Sequence, residues 1–469
     1  MNRKYKSLLT NMGLFFLASF IPKTISFFMV PLYTYCLTTE DYGTADLLTT
    51  TVQLLVPILT LQIQDSVLRF AMENGKDNSE VFSVGFLSVL RGGAVLLMGI
   101  VICKVLDLIS LSILQWGYVV INYFTVSLNA IFSYFCRGIG KIKILTLSSV
   151  AMSLVTVSTN ILFLISLDMG LDGYLIANSL GATTGILIIF LGEKLYKYIS
   201  CVKISKTLRN EMMVFSIPMI LSALSWWINN ASDRYILRFF TGVSFVGIFA
   251  VASKVPTILS TMSAVVSRAY SISAIQEFNK NDTDGFLGRS YSLISMIMVL
   301  GCSCLTLFNV EIARILFSKD FFQAWIIVPP LLISSLMNQL SLSCENLFIA
   351  TKNTKIISIT AACAACINTI LNFTLIPLLG AYGAAVATAF GFSFQWILRY
   401  CFLRKEIKLK NNIKKEVCSY FLLIVQVGFA YFGNTYIGIQ AVLLLLIVLF
   451  YRRELIAMAK IPLKVLHRY

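Results

Sequence analysis

Three strong bases, Lys23, Arg91 and Lys254, stand inside apolar runs long enough to cross a bilayer. Each lies roughly ten to fifteen residues from the nearest end of its run, or about 15 Å at the helical rise of ~1.5 Å per residue. A cation so placed is close to the membrane midplane, where it costs at least ~2.5 kcal/mol unless an opposite charge or a water-filled cavity receives it. Three bases of one sign, with no histidine among the runs, describe a cavity that receives an anion.

Polar residues accompany two of these bases. Ser19, Lys23, Ser26 and Tyr33 share one helical face of the first run, and Pro22 and Pro31 remove backbone donors from it. Such breaks survive where a cavity or a neighbouring helix satisfies the freed carbonyls. The seventh run carries a similar stripe of Ser222, Ser225, Asn229 and Asp233. Ser and Asn in such stripes also serve as glue between membrane helices. Lys23 is too deep to snorkel easily to the surface.

Acids inside the runs are few. Asp65 and Arg69 are one helical turn apart, the spacing of a structural ion pair or part of a gate. Asp233 beside Arg234 is a second such pair or an outer gate. Glu345 has no close partner in the sequence. It is the best buried acid for reversible protonation or sodium binding, which makes H+ or Na+ the coupling ions to consider. Cys363 and Cys366 have metal-like spacing, but no second pair and no nearby His completes a site. Their neighbours Thr360, Ala361, Ala362, Ala364 and Ala365 make close helix packing the simpler reading. The one histidine, His467, is in the tail. No metal and no cofactor is expected.

The elements that must position these residues follow from composition. Hydrophobic residues make up 58% of the 469 and charged ones 13%, with a mean hydropathy of +0.82. A soluble globular protein is excluded. Fourteen spans are expected, near Leu8–Leu37, Ala45–Leu68, Val81–Ile102, Leu108–Phe135, Ile144–Leu167, Leu171–Leu191, Met212–Leu237, Val243–Val266, Ser290–Phe308, Ala324–Ala350, Ile356–Leu379, Ala381–Leu398, Val417–Tyr431 and Ile437–Tyr451. The last two also read as one hairpin of marginal spans. The first is long enough to remain in the membrane and lacks a small-residue cleavage site.

The net charge of +16 is distributed unevenly. With the N-terminus inside, only Lys104, Arg234, Arg238, Arg314 and Lys319 fall on the far side, so both termini are expected to be cytoplasmic. The basic stretches Lys194–Arg209 and Arg399–Lys415 then read as cytoplasmic links, not nucleic-acid sites. The second is also within reach of anionic lipid headgroups.

The chain repeats itself. The segment Gly170–Ala177, closing at Gly181, returns as Gly380–Ala387, closing at Gly391, at a constant offset that also pairs Thr159 with Thr369 and Phe163 with Phe373. Six spans separate the copies, so both run in the same direction. The expectation is an all-α polytopic protein of two pseudo-symmetric six-helix bundles plus two C-terminal helices, with a cavity between the bundles. The boundaries are 1–192 for the N-terminal lobe, 193–211 for a cytoplasmic linker, 212–404 for the C-terminal lobe, and 405–469 for the final link, two helices and tail.

The run Lys23–Thr34, followed by Glu40–Asp41–Tyr42–Gly43, and later Ser232–Asp233–Arg234–Tyr235–Ile236–Leu237 and Gly247–Ile248–Phe249, resembles the Wzx polysaccharide flippases. Their superfamily also holds the lipid II flippases and the MATE drug exporters. The resemblance covers about the first 400 residues. It implies two six-helix bundles in a V that opens alternately to each side of the bacterial cytoplasmic (inner) membrane. It also implies a lipid-linked oligosaccharide substrate, an undecaprenyl-pyrophosphate carrying a repeat unit of O-antigen, capsule or exopolysaccharide, moved to the outer leaflet. Lys23 matches the family's first-helix base and Lys254 its eighth-helix base. Partners so implied are membrane lipids and other membrane proteins of polysaccharide assembly. The two extra C-terminal spans depart from the commoner twelve-span pattern and resemble the lipid II flippase branch in number.

On this reading Lys23, Arg91 and Lys254 neutralise the pyrophosphate, while Ser26, Tyr33 and Asn229 hydrogen-bond sugar hydroxyls. Asp65, Arg69, Asp233, Arg234 and Glu345 are the candidates for gating or ion coupling. A lipid II flippase or a MATE-type exporter is the alternative, although cationic drugs would favour acids in the cavity. A membrane-embedded polymerase or transferase would need a large outer loop, an acidic metal motif or an intramembrane His, and none is in the sequence.

Overall fold

The structure is a computed structural model that describes residues 20–73, 75–199, 205–261, 263, 281–283, 285–351, 353–452 and 454–455. The start of the first span (Leu8 to Ser19), the end of the eighth at Val266, part of the link after Lys194, and His467 lie outside these residues. The described residues are helical, without strands. A chain that spans lipid must satisfy every backbone group within itself, and helices do so.

The chain divides into two compact units, 1–235 and 236–469. In the first, helical residues 20–28 lead into α1 (Val30–Cys36), followed by α2 (Thr39–Leu59), α3 (Ile63–Ala71), α4 (Asn78–Val105), α5 (Ile113–Gly138), α6 (Lys143–Asn160) and α7 (Gly170–Gly192). Most of α8 (Lys206–Thr241) also belongs to it. The second unit holds α9 (Val243–Ala252), α10 (Phe286–Leu307), α11 (Asn309–Leu316), α12 (Val328–Ala350), α13 (Thr354–Glu406), α14 (Ile413–Ala430) and α15 (Ile437–Phe450). The division between the units falls within α8.

Caps written into the sequence start several of these helices. Thr38 and Asp41 form a reciprocal capping box at α2, as do Ser112 and Gln115 at α5. Asp77 accepts from Ser79 N (2.8 Å) at the start of α4. Each satisfies backbone donors that a helix start otherwise leaves open.

Among the described residues, eight helices are long and apolar enough to cross a membrane, or ten when each bent pair counts as one span. One of the eight is α13. Straight, its 53 residues would run roughly 80 Å at ~1.5 Å per residue, far beyond a hydrocarbon core of about 30 Å. It is two helices joined at a kink, where Gly380 takes φ 58°. The helices α14 and α15 have 18 and 14 residues.

The second span is not one straight helix. α2 and α3 meet at 59°, and the join places Leu61 and Gln62 in the left-handed region. Such a conformation costs roughly 1–2 kcal/mol per non-glycine residue. Gln62 N bonds Pro57 O (3.1 Å) and Leu61 N bonds Ile58 O (3.3 Å), so the break leaves few open carbonyls.

The repeat has the same local geometry in both units. Gly170 and Gly380, its first residues, both have positive φ. At the fourth residue, a Cβ on Gly173 would meet Phe163 and one on Gly383 would meet Leu375, each in the preceding helical segment. At the last, Gly181 lies against Thr156 and Gly391 against Asn368. Each copy therefore turns at a glycine and lays its helix back on the one before. In α13 the packed side of the small-residue run is Thr360, Ala364 and Asn368, all buried. Cys363 and Cys366 point away and are exposed, so the packing expected of that run does not involve its cysteines.

Candidate functional site

In the first unit the beginning of α2 and the end of α8 are tied by polar side chains. Arg234 donates from Nε to Asp46 Oδ2 (2.5 Å) and from Nη1 to the Asn230 carbonyl (3.0 Å). Tyr235 Oη and Thr51 Oγ1 are 2.5 Å apart, and Trp227 Nε1 donates to the Thr50 carbonyl (3.0 Å). Thr49 shares a hydrogen bond with Tyr118 of α5 (3.0 Å). Residues 46, 50 and 51 of α2 thus face residues 234, 227 and 235 of α8. Arg234 therefore pairs across to Asp46, not with its neighbour Asp233 alone; Asp233 itself is buried.

Tyr33 belongs to this same end. It is buried against Tyr174 (ring centroids 5.0 Å apart) and Tyr42 (6.2 Å). A tyrosine so enclosed is not open to a sugar in this conformation. Lys23, ten residues earlier, is exposed and has no hydrogen bond or ion pair with any described residue. Ser26 is half-buried, and Ser19 is outside the described residues. The polar stripe of the first span is therefore divided between a packed end and an open stretch.

α8 is also tied to α3 at its other end. Ser66 donates to the Met212 carbonyl (2.7 Å), and the Arg69 guanidinium sits over the Phe215 ring at 4.6 Å. Beyond the spans, Lys76 Nζ donates to Glu211 Oε2 (2.7 Å), a bond that raises the ammonium above the ordinary lysine range. Asp65 does not pair with Arg69. Its carboxylate takes Gln62 Nε2 (3.1 Å), and Arg69 reaches Glu73 at 3.5 Å. An acid one turn further on, Glu73, takes the guanidinium that the Asp65–Arg69 spacing would offer. Asn229 and Ser225 donate to carbonyls four residues back in their own helix, so those donors are used locally.

Arg91 is exposed and has no partner among the described residues. Its neighbours on that face of α4, Val95, Met98 and Ile102, are exposed and apolar. The packed side, Gly92 and Gly93, lies against Tyr123 and Phe124 of α5. Lys254 is half-buried in the second unit, just after a turn at Ser253.

Glu345 has a partner that its sequence neighbours do not reveal. Arg399 donates from Nη1 to Glu345 Oε2 (2.8 Å) and to Ser341 Oγ (3.0 Å), and from Nε to Thr360 Oγ1 (3.0 Å). Arg399 is 2% exposed. The residue that opens the basic stretch before α14 is thus a buried base, not a lipid-facing one. The Glu345 carboxylate is therefore held by a buried guanidinium that lies 54 residues further along the chain. Sequence reading missed Arg399 and Asp46 because their partners are far away in the chain. The only signal was that each sits within a turn of a span end.

No group of three His, Cys, Asp or Glu able to hold a metal occurs among the described residues. The arrangement offers fixed charges and hydroxyls for binding.

The family model for polysaccharide biosynthesis proteins matches residues 8–270. No curated protein matches the chain. Among solved structures, the lipid II flippase MurJ in an inward closed conformation aligns with a TM-score of 0.72 and 16% identity, covering 93% of this chain and 98% of that one. An inward-facing multidrug resistance MATE family transporter of the MOP superfamily gives 0.67 at 14% identity, covering 83% and 97%. A MOP superfamily transporter from Pyrococcus furiosus gives 0.58 at 14%, covering 87% and 97%. At these identities the likeness is one of fold. This multi-pass membrane protein belongs to the polysaccharide biosynthesis protein family and has the fold of MOP-superfamily transporters.

Proposed function

We propose that this protein is a Wzx-type flippase, which moves undecaprenyl-pyrophosphate-linked oligosaccharide from the cytoplasmic to the outer leaflet of the bacterial inner membrane. The observation that carries the reading is the family match over residues 8–270, which contains Lys23, an exposed base with no partner among the described residues. A pyrophosphate is the anion such a base would hold in a medium of low dielectric. Lys23 and Arg91 in the first unit and Lys254 in the second are the proposed cations. Of these, Lys23 is best supported, because Arg91 shares its face with apolar side chains. No bond is made or broken, and transport proceeds by alternating access. Both termini are cytoplasmic on the charge asymmetry of the sequence. That orientation puts the Asp46–Arg234 tie at the outer side, where it would hold α2 and α8 together.

The test is complementation of a bacterium lacking its own glycan flippase, scored by surface polysaccharide. Wild type restoring export, with Lys23→Ala or Lys254→Glu failing at equal abundance, supports the reading. Retained export in Lys23→Glu removes Lys23 from the mechanism. A lipid II flippase is the second reading, favoured by the longer coverage of the MurJ match; rescue of a strain depleted of its lipid II flippase, without rescue of glycan export, would select it. Resistance to cationic drugs in place of either would select an exporter.

A further inference from the structure

The second unit contains a carboxyl that the proposed transport cycle does not use. Glu416, in the first turns of α14, is 1% exposed. Its Oε2 accepts from Tyr451 Oη (2.7 Å) and from Ser295 Oγ of α10. Ser295 Oγ in turn lies 2.8 Å from Tyr420 Oη and 3.3 Å from Tyr451 Oη. The other oxygen, Oε1, is sealed from solvent without a hydrogen bond of good geometry, and Ser292 is the remaining hydroxyl beside the carboxyl. The shell is therefore built of hydroxyls.

The charged and titratable groups around it come from four helices and the segment after α15, and α13 contributes Tyr400. α10 contributes Tyr291, whose Oη accepts from Trp396 Nε1 (2.8 Å). α12 contributes Cys344. α14 contributes Tyr420 and Lys415. Lys415 is a base beside it, but its Nζ goes to Glu454 Oε1 (2.5 Å), beyond α15, and lies over the Tyr451 ring at 4.5 Å. Glu416 forms no ion pair with any described residue.

A carboxylate removed from water without a counter-charge is costly enough that the group takes up a proton instead. Glu345 faces a buried guanidinium, while the hydrogen-bond partners of Glu416 among the described residues are hydroxyls, which can accept from a neutral acid as well as donate to it. We propose that Glu416 is a proton-binding site, uncharged at neutral pH, and that α14 and α15 dock on Ser295 of α10 while this proton is held. The inference goes beyond the flippase reading and does not rest on the substrate.

The test uses the full-length protein in lipid nanodiscs. Infrared spectra at neutral pH should show a protonated-carboxyl stretching band that Glu416→Gln lacks. The neutral acid in the fold ionises on unfolding, so wild-type stability should fall as pH rises above the ordinary glutamate range, by up to tenfold in the folded-to-unfolded ratio per pH unit. Glu416→Gln should lack that component of the fall. Absence of the band, or an identical pH profile in Glu416→Gln, would overturn the proposal. If Glu416→Gln does not accumulate, Tyr451→Phe and Ser295→Ala serve instead. Each removes a hydroxyl bonded to Oε2 and should shift the band; a band unmoved in both belongs to another carboxyl and also overturns it.

Discussion

Arg234 and Asp46 lie 188 residues apart in the chain and share a hydrogen-bonded ion pair that joins α8 to α2. Both side chains are largely enclosed, and the Arg234 guanidinium also holds the Asn230 carbonyl. Removing one partner of an enclosed pair leaves the other charge uncompensated, at a cost of about 3 kcal/mol or more. Asp46→Ala and Arg234→Ala should each lower the thermal melting temperature clearly. The exchange Asp46→Arg with Arg234→Asp should recover part of the loss. A double exchange no better than the singles would show that the pair is not what joins the two helices.

The buried Arg399 gives an asymmetric prediction. Arg399→Met strips Ser341, Thr360 and Glu345 of a shared donor, and should cost about 3–5 kcal/mol. Glu345→Gln keeps an acceptor for the guanidinium and leaves the other two contacts, so it should cost less. Denaturation in detergent compares the two, and equal losses would contradict the network.

Two glycines should respond in opposite ways to alanine. A Cβ on Gly383 would fall 2.4 Å from the Leu375 carbonyl oxygen, a backbone atom that cannot easily give way. Gly383→Ala should therefore destabilise by about 1–3 kcal/mol or more. Gly99, in the middle of α4, has nothing within 4 Å of the same position. There alanine should be neutral or stabilising by up to about 1 kcal/mol. Melting temperatures of the two variants decide it.

Outside the spans, Asp282 is fully buried and accepts from the backbone amides of Leu287, Gly288 and Lys410 at 3.0, 3.0 and 2.9 Å. It fastens the link before α14 to the start of α10. Asp282→Ala leaves three amides unpaired, at roughly 1–3 kcal/mol for the loss of a buried partner. Hydrogen exchange at those amides should quicken, while exchange in α5 stays unchanged.

For transport, Lys23→Arg should keep surface glycan export and Lys23→Ala should reduce it at least tenfold, because the proposed role needs a positive charge and not a particular shape. Export measured at matched protein abundance is the readout. Equal export in the two variants would count against an anion at Lys23.

The sequence by itself determined the all-α membrane class, since uninterrupted apolar runs in lipid can only satisfy their backbones as helices. It also separated the spans on either side of Gly380, the residue at which the repeat that begins at Gly170 returns. Tertiary structure alone decided the pairings. Asp46 finds Arg234, Glu345 finds Arg399, and Glu416 finds the hydroxyls of Ser295 and Tyr451, each across 35 residues or more. It alone also turned Tyr33 into a packed residue and left Lys23 open. Periodicity fixes which helix face a side chain occupies, but not which helix stands opposite, and the charge state of a buried acid depends on that opposite helix.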